Sequence, residues 1–267
     1  MAESAICVEA LEKFFPPARA GWAALAQPFA RPTVRALARI SFEIREGEAV
    51  ALIGANGAGK STLLRILATL LLPTRGRARI AGCDVAREPA AVRRHLGFHT
   101  GSDASFYARM SARENLLFFG ALNNLSPGET RRRIEELADL LHLVPWLDRQ
   151  VRTLSTGLVH RLGLARALLH KPAVLLLDEP TRSLDPVAAA EFRRFLKAEI
   201  LGNAGTTLLF SSHSTGEVEQ LAGRLLLLDS GRLLAFDAPA RVRENAGASS
   251  LEQAMEVLVG RASGAAA

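Results

Sequence analysis

The residues with the plainest chemical purpose are Gly54-Ala-Asn-Gly-Ala-Gly59-Lys60-Ser61. They fit G-x-x-x-x-G-K-[ST], with an apolar run before and a helical pattern after. In a glycine-rich turn successive backbone N–H groups converge on phosphate oxygens, and the following helix N-terminus adds partial positive charge. Gly54, Ala55, Asn56, Gly57, Ala58, Gly59, Lys60, Ser61 and Thr62 are therefore expected to cradle the phosphates of a nucleotide. In this motif Lys60 reaches the β- and γ-phosphates, and the Ser61 hydroxyl ligates Mg2+.

A second cluster is Val174-Leu-Leu-Leu-Asp178-Glu179. An apolar strand ending in two carboxylates presents them at the C-terminal edge of a sheet, where α/β proteins build ligand sites. Paired with the phosphate loop, Asp178 is expected to bind Mg2+, directly or through water. Glu179 is expected to take a proton from an attacking water or to orient it.

These groups need a scaffold. Residues 5–11 and 39–45 alternate in polarity and read as strands, the first as an edge strand. Residues 48–53, 173–178 and 206–211 are apolar runs of the kind that fill buried parallel strands. Residues 77–81 read as a further strand, and 224–236 as a hairpin turning at Ser230-Gly231. A helix is expected from Leu63 to before Pro73. Ser111-x-x-Glu114, Ser126-Pro127-x-Glu129 and Ser214-x-x-Glu217 each mark a helix start, as does Asp185-Pro186. Leu158–Leu169 completes a mostly helical region over 105–170, while 16–36 reads as a long loop with a short helix near Trp22. Alternating strands and helices imply an α/β fold, with a mainly parallel sheet covered on both faces.

Composition narrows the class. The 267 residues are 49% hydrophobic and 22% charged, which excludes disorder, collagen and coiled coil as whole-chain readings. Two cysteines make no ligand-spaced cluster, so a reducing compartment is the simplest setting. The N-terminus lacks a basic region, and the richest apolar run, Leu63–Leu72, falls short of the roughly 20 residues of a membrane span. The net charge of +6 is spread along the chain, so no direct nucleic-acid partner is expected.

Between and after the two nucleotide motifs stand three more. Leu154-Ser155-Thr156-Gly157-Leu158 precedes the basic helix VHRLGLARALL, Ser183-Leu184-Asp185 follows Glu179-Pro180, and Ser211-Ser212-His213 ends a strand. Together the five resemble the ATP-binding cassette (ABC) ATPases over about residues 5–236. The resemblance implies a P-loop NTPase (RecA-like) core with an antiparallel β subdomain and an inserted helical subdomain, about 102–170. A nucleotide-binding domain would span 1–236, with 237–267 a short helical extension and frayed tail. It further implies two ATP sandwiched head to tail in a homodimer. Leu154, Ser155, Thr156 and Gly157 would form the signature that meets the partner's ATP. His213 would touch the γ-phosphate, Asp185 would couple the two sites, and Phe15 or Phe14 would stack on adenine.

Some positions depart from the family pattern. The glutamine expected near 101 is absent from His99-Thr-Gly-Ser-Asp103, so Ser102 or Asp103 is the expected substitute. The signature ends in Leu158 instead of Gln. The loop 16–36 and the stretch 105–122 resemble ABC-2-type exporter cassettes. There Phe106, Tyr107, Phe118 and Phe119 would either receive a membrane partner or fill the helical subdomain's own core. The remaining histidines (His95, His99, His142, His160 and His170) read as ordinary surface or core residues.

The expected function is a Mg2+-dependent ATPase subunit driving separate transmembrane permease subunits, as an exporter, from the cytoplasmic face of a bacterial-type membrane. A nucleic-acid or ribosome ATPase fits less well: Lys60 and Asp178 lie only 118 residues apart, too close for an inserted coiled coil. A non-hydrolysing regulator is opposed by Glu179 and His213.

Overall fold

The computed structural model describes residues 4–16, 34–100, 106–182, 184–203 and 205–264, without the side chains of 203, 263 and 264. The candidate substitutes Ser102 and Asp103, Ser183 of the third motif and most of the 16–36 loop lie outside these residues.

In chain order the strands are β1 (Ser4–Phe15), β2 (Val34–Arg45), β3 (Ala49–Ile53), β4 (Arg75–Ile80), β5 (Cys83–Asp84), β6 (Leu96–Thr100), β7 (Val174–Asp178), β8 (Thr207–Ser211), β9 (Arg224–Asp229) and β10 (Arg232–Asp237). The helices are α1 (Lys60–Leu67), α2 (Pro89–His95), α3 (Ala112–Leu122), α4 (Pro127–Leu140), α5 (Thr156–Leu168), α6 (Pro186–Phe195), α7 (Thr215–Leu221), α8 (Pro239–Ala246) and α9 (Leu251–Gly264). A π-helical stretch, Leu196–Asn203, continues α6.

The central sheet has six strands in the order β10-β9-β3-β8-β7-β6. All its pairings are parallel except the β9–β10 hairpin. Ser230 and Gly231 both take positive φ at the hairpin turn, as a primed two-residue turn demands. β3, β7 and β8 are covered on both faces, which explains their unbroken apolar sequences. Their residues alternate between two cores. Ala51, Leu175, Leu177 and Phe210 enter the core shared with α3–α6, while Val50, Leu176 and Leu209 enter the one shared with α1, β1 and β2.

The second sheet is antiparallel, in the order β2-β1-β4-β5. β1 is thus interior, which corrects the expectation of an edge strand. Its half-polar alternation fits one buried face and says nothing of its neighbours, and β4 returns to cover the side opposite β2. The helix after the phosphate loop is shorter than its apolar pattern, because Thr69 at φ 60 turns the chain out of it. The C-terminal helices are docked: Val242, Ala246, Leu251 and Ala254 are buried in the larger core.

α3, α4 and α5 fill the region after β6. The first two open with closed capping boxes at Ser111/Glu114 and Ser126/Glu129, as their sequences predict. α5 and β6 interlock through glycines. A Cβ on Gly97 would lie 2.4 Å from the Ala167 carbonyl oxygen, and one on Gly163 would lie 2.4 Å from the His99 ring.

Candidate functional site

The loop between β3 and α1 takes its shape from glycine. Gly54 (φ 151) and Gly59 (φ 108) hold conformations that side chains avoid. A Cβ on Gly54 would meet the Leu228 carbonyl oxygen at 2.1 Å, and one on Gly59 the Ala36 carbonyl oxygen at 2.5 Å. The loop is therefore pressed against β9 and β2. Gly57 (φ 81) faces open space.

Lys60 opens α1 and is buried. Its Nζ donates to the carbonyls of Gly54 at 2.7 Å and Ala55 at 3.2 Å, so the ammonium lies inside the loop's curl. Burial pushes its pKa down, and the nearby carboxylates of Glu179 and Asp178 pull it partly back. The cation thus shares one field with the two acids that the sequence paired with it. Ser61 and Thr62, the next residues of the helix, are half-buried.

Asp178 ends β7, and Glu179 follows at φ 50, a strained angle for a non-glycine residue. Ser211, at the end of β8, holds both. Its hydroxyl donates to Asp178 Oδ1 at 2.7 Å and accepts from the Glu179 N–H at 2.8 Å. The Glu179 side chain is only 16% exposed and engaged at both oxygens. His213 Nε2 lies 2.7 Å from Oε1, and Arg182 Nη1 donates to Oε2 at 2.9 Å. Burial pushes this carboxyl up, but the bond and charge of His213, then of Arg182, outweigh it and hold the pKa below the usual range.

Asn56, Glu179, Arg182 and His213 line one cavity of about 410 Å³. The structure thereby brings Asn56 of the glycine-rich loop, Glu179 and His213 together. The signature residues are not at this cavity. Ser155 caps α5, accepting from the Leu158 N–H at 3.4 Å, while Leu154 and Leu158 pack on the core. Leu158, where the family pattern has glutamine, is partly buried against that core. Gly157 lines a separate cavity with Leu184. Asp185 caps α6, its Oδ1 accepting from Val187 N and Ala188 N.

Phe14 and Phe15 end β1, paired with Arg35 and Val34 of β2. The adjoining Ala36 and Leu37 back Gly59, which puts these rings one strand from the phosphate loop. Lys13 Nζ sits 5.1 Å from the Phe15 ring centroid. The aromatics after β6 differ in burial. Phe106 and Phe119 pack against the core, while Tyr107 and Phe118 are exposed.

Arg182 and the tethering role of Ser211 were missed from sequence. Arg182 had a signal, a cation three residues past the acid on a turn. The Ser211 bonds had none, because they depend on which strands are neighbours. Of the histidines read as surface or core residues, His99 and His160 are both buried, edge to face, with centroids 5.4 Å apart.

The fold and this site define a P-loop NTPase. Residues 37–182 match the family model for ABC transporter, and the chain belongs to that family. It is 37% identical over 204 residues to the ABC transporter ATP-binding protein NatA of Bacillus subtilis, covering 76% of this chain and 82% of that one. It is 39% identical over 218 residues to the daunorubicin resistance ATP-binding protein DrrA2 of Streptomyces coeruleorubidus, covering 82% of this chain and 67% of that one. The solved structure of cbiO1 from Clostridium perfringens, part of the ABC transporter complex cbiONQ, superposes with a TM-score of 0.75 at 26% identity, covering 91% of each chain.

Proposed function

We propose that this chain is the ATP-hydrolysing subunit of an ABC exporter, two copies sandwiching two ATP beneath separate membrane permease subunits on the cytoplasmic face. The observation that carries the reading is the Glu179–His213 contact beside the phosphate loop. It provides an acid able to take a proton and a switch residue on one cavity. Similarity to NatA and to DrrA2, a resistance protein by name, supports export. Among the described residues no helix is long and apolar enough to cross a membrane, so in this reading the pathway belongs to partner subunits.

The donors fit magnesium, since a serine hydroxyl and a carboxylate are hard oxygen ligands and Lys60 supplies the neighbouring positive charge. Ser61 and Asp178 would hold the ion, which supplies charge neutralisation on the triphosphate. The loop amides and Lys60 bind the phosphates, and Lys60 exchanges its carbonyl partners for phosphate oxygens. Phe15 stacks on the base. Glu179, held by Ser211 at its backbone, accepts the proton of the attacking water. His213 leaves Glu179 for the γ-phosphate and returns when the phosphate departs. Ser155, Thr156 and Gly157 bind the γ-phosphate of the other protomer's ATP.

Phosphate release from ATP and Mg2+ by the purified chain tests this. Glu179→Gln should bind ATP with wild-type affinity, release no phosphate above background, and accumulate as an ATP-bound dimer in sedimentation. Wild-type protein that binds no nucleotide would overturn the reading.

A further inference from the structure

Three helices of this chain open with Ser-x-x-Glu. In two of them the glutamate closes a capping box. Ser111 N donates to Glu114 Oε2 at 2.7 Å, and Ser126 N to Glu129 Oε2 at 3.0 Å. At α7 the serine half is present, since Ser214 Oγ accepts from Glu217 N at 3.3 Å. The glutamate half is not. The Ser214 N–H donates to Ser212 Oγ at 3.0 Å instead.

The Glu217 carboxylate turns inward, and the residue is only 2% exposed. Its Oε2 accepts from Ser212 Oγ at 2.5 Å and from Thr181 Oγ1 at 3.3 Å. Its Oε1 is buried without a hydrogen-bond partner among the described residues. A capping carboxylate would have stayed in water, so this placement forgoes an easier one.

The two hydroxyls locate its purpose. Thr181 lies two residues after Glu179, and Ser212 immediately precedes His213. Glu217 therefore ties the loop carrying the acid to the loop carrying the switch histidine, and all five residues line the same cavity. Ser211 ties the loops at the strand ends. Glu217 ties them farther out, where the direct Glu179–His213 contact must open to admit a phosphate and a water.

We infer that Glu217 is a positioning residue for ATP hydrolysis, holding Glu179 and His213 at working separation while their own contact is broken. The inference rests on the hydrolytic reading above. Glu217→Leu and Glu217→Gln test it, since Gln keeps an acceptor oxygen for both hydroxyls and Leu keeps none. Glu217→Leu should lower kcat at least tenfold and leave the calorimetric Kd for ATP within twofold, while Gln retains at least a third of kcat. Thr181→Val should lower kcat severalfold, with no further loss when added to Glu217→Leu. Unchanged kcat in Glu217→Leu, equal losses for Leu and Gln, or a loss of kcat matched by ATP affinity would each overturn the inference. If Glu217→Leu does not fold, Thr181→Val and Ser212→Ala carry the test: kcat must fall in both at unchanged affinity, and otherwise the inference fails. A wild-type chain that releases no phosphate overturns the hydrolytic reading and this inference with it. An active wild type alongside an equally active Glu217→Leu overturns the inference alone.

Discussion

Ser211 donates to Asp178 Oδ1 at 2.7 Å across the β7–β8 boundary, and the same hydroxyl accepts from the next residue's N–H. One side chain therefore sets both the carboxylate assigned to the metal and the backbone of the acid beside it. Ser211→Ala leaves the part-buried Glu179 N–H unpaired and the Asp178 carboxylate free to turn. A lost bond to a charged group is worth about 1.5–3 kcal/mol, so phosphate release should fall between about tenfold and a hundredfold. Steady-state kinetics of the variant checks this, and unchanged kcat would show that the tether is idle.

Arg182 occupies the second oxygen of Glu179. Its own side chain is 76% exposed, and such pairs contribute about 0–1 kcal/mol. Removing it frees an oxygen for water without removing the acid. Arg182→Ala should raise basal turnover by at most about fivefold and leave ATP affinity unchanged. A fall in turnover would mean that the arginine orients the carboxylate instead of occupying it.

His99 gives the fold a dependence on pH. Burial first, then His160 and Arg166, lower its pKa from 6.5 to about 3. The unfolded chain therefore takes up this proton below pH 6.5 while the folded chain does not, and stability falls as pH drops from 6.5 towards 3. At pH 5 the loss from this residue is about 2 kcal/mol. Denaturant unfolding of His99→Leu beside wild type at pH 7.5 and pH 5 should show the gap narrowing or reversing at the lower pH. Parallel losses in both proteins would refute it.

Gly163 makes room for that same ring. A Cβ there would stand 2.4 Å from His99 Cε1, far inside contact distance. Gly163→Ala should destabilise by about 1–3 kcal/mol through overpacking. His99→Ala should relieve most of this, so the two losses should fail to add in a double-mutant cycle. Additive losses would place the strain elsewhere.

Much of this architecture was legible because it is local. The phosphate loop, the primed hairpin at Ser230-Gly231 and the capping serines each carry their signal within a few residues. β3, β7 and β8 were readable because full burial leaves a plain apolar mark. The remainder depends on neighbours that arrive from far along the chain. β1 looked like an edge because no pattern announces β4 on its open side. Glu217 looked like a cap because Ser-x-x-Glu is the same at all three helices, whereas here Ser212 takes the capping N–H and, with Thr181 from another loop, the carboxylate. Ser155 and Gly157 were legible as a motif, but their place at the start of α5, away from the cavity of Glu179 and His213, follows from how the helices pack and carries no local mark.

β8 lies between β3 and β7 in the sheet. The strand that leads to His213 is flanked on one side by the strand before the glycine-rich loop and on the other by the strand ending at Asp178. Within the sheet, β3 and β7 share no hydrogen bonds and meet only through the β8 ladder. The middle strand thus hydrogen-bonds to both, and a break in its ladder would leave the loop's strand and the acids' strand joined through the helix that Lys60 opens instead of through the sheet.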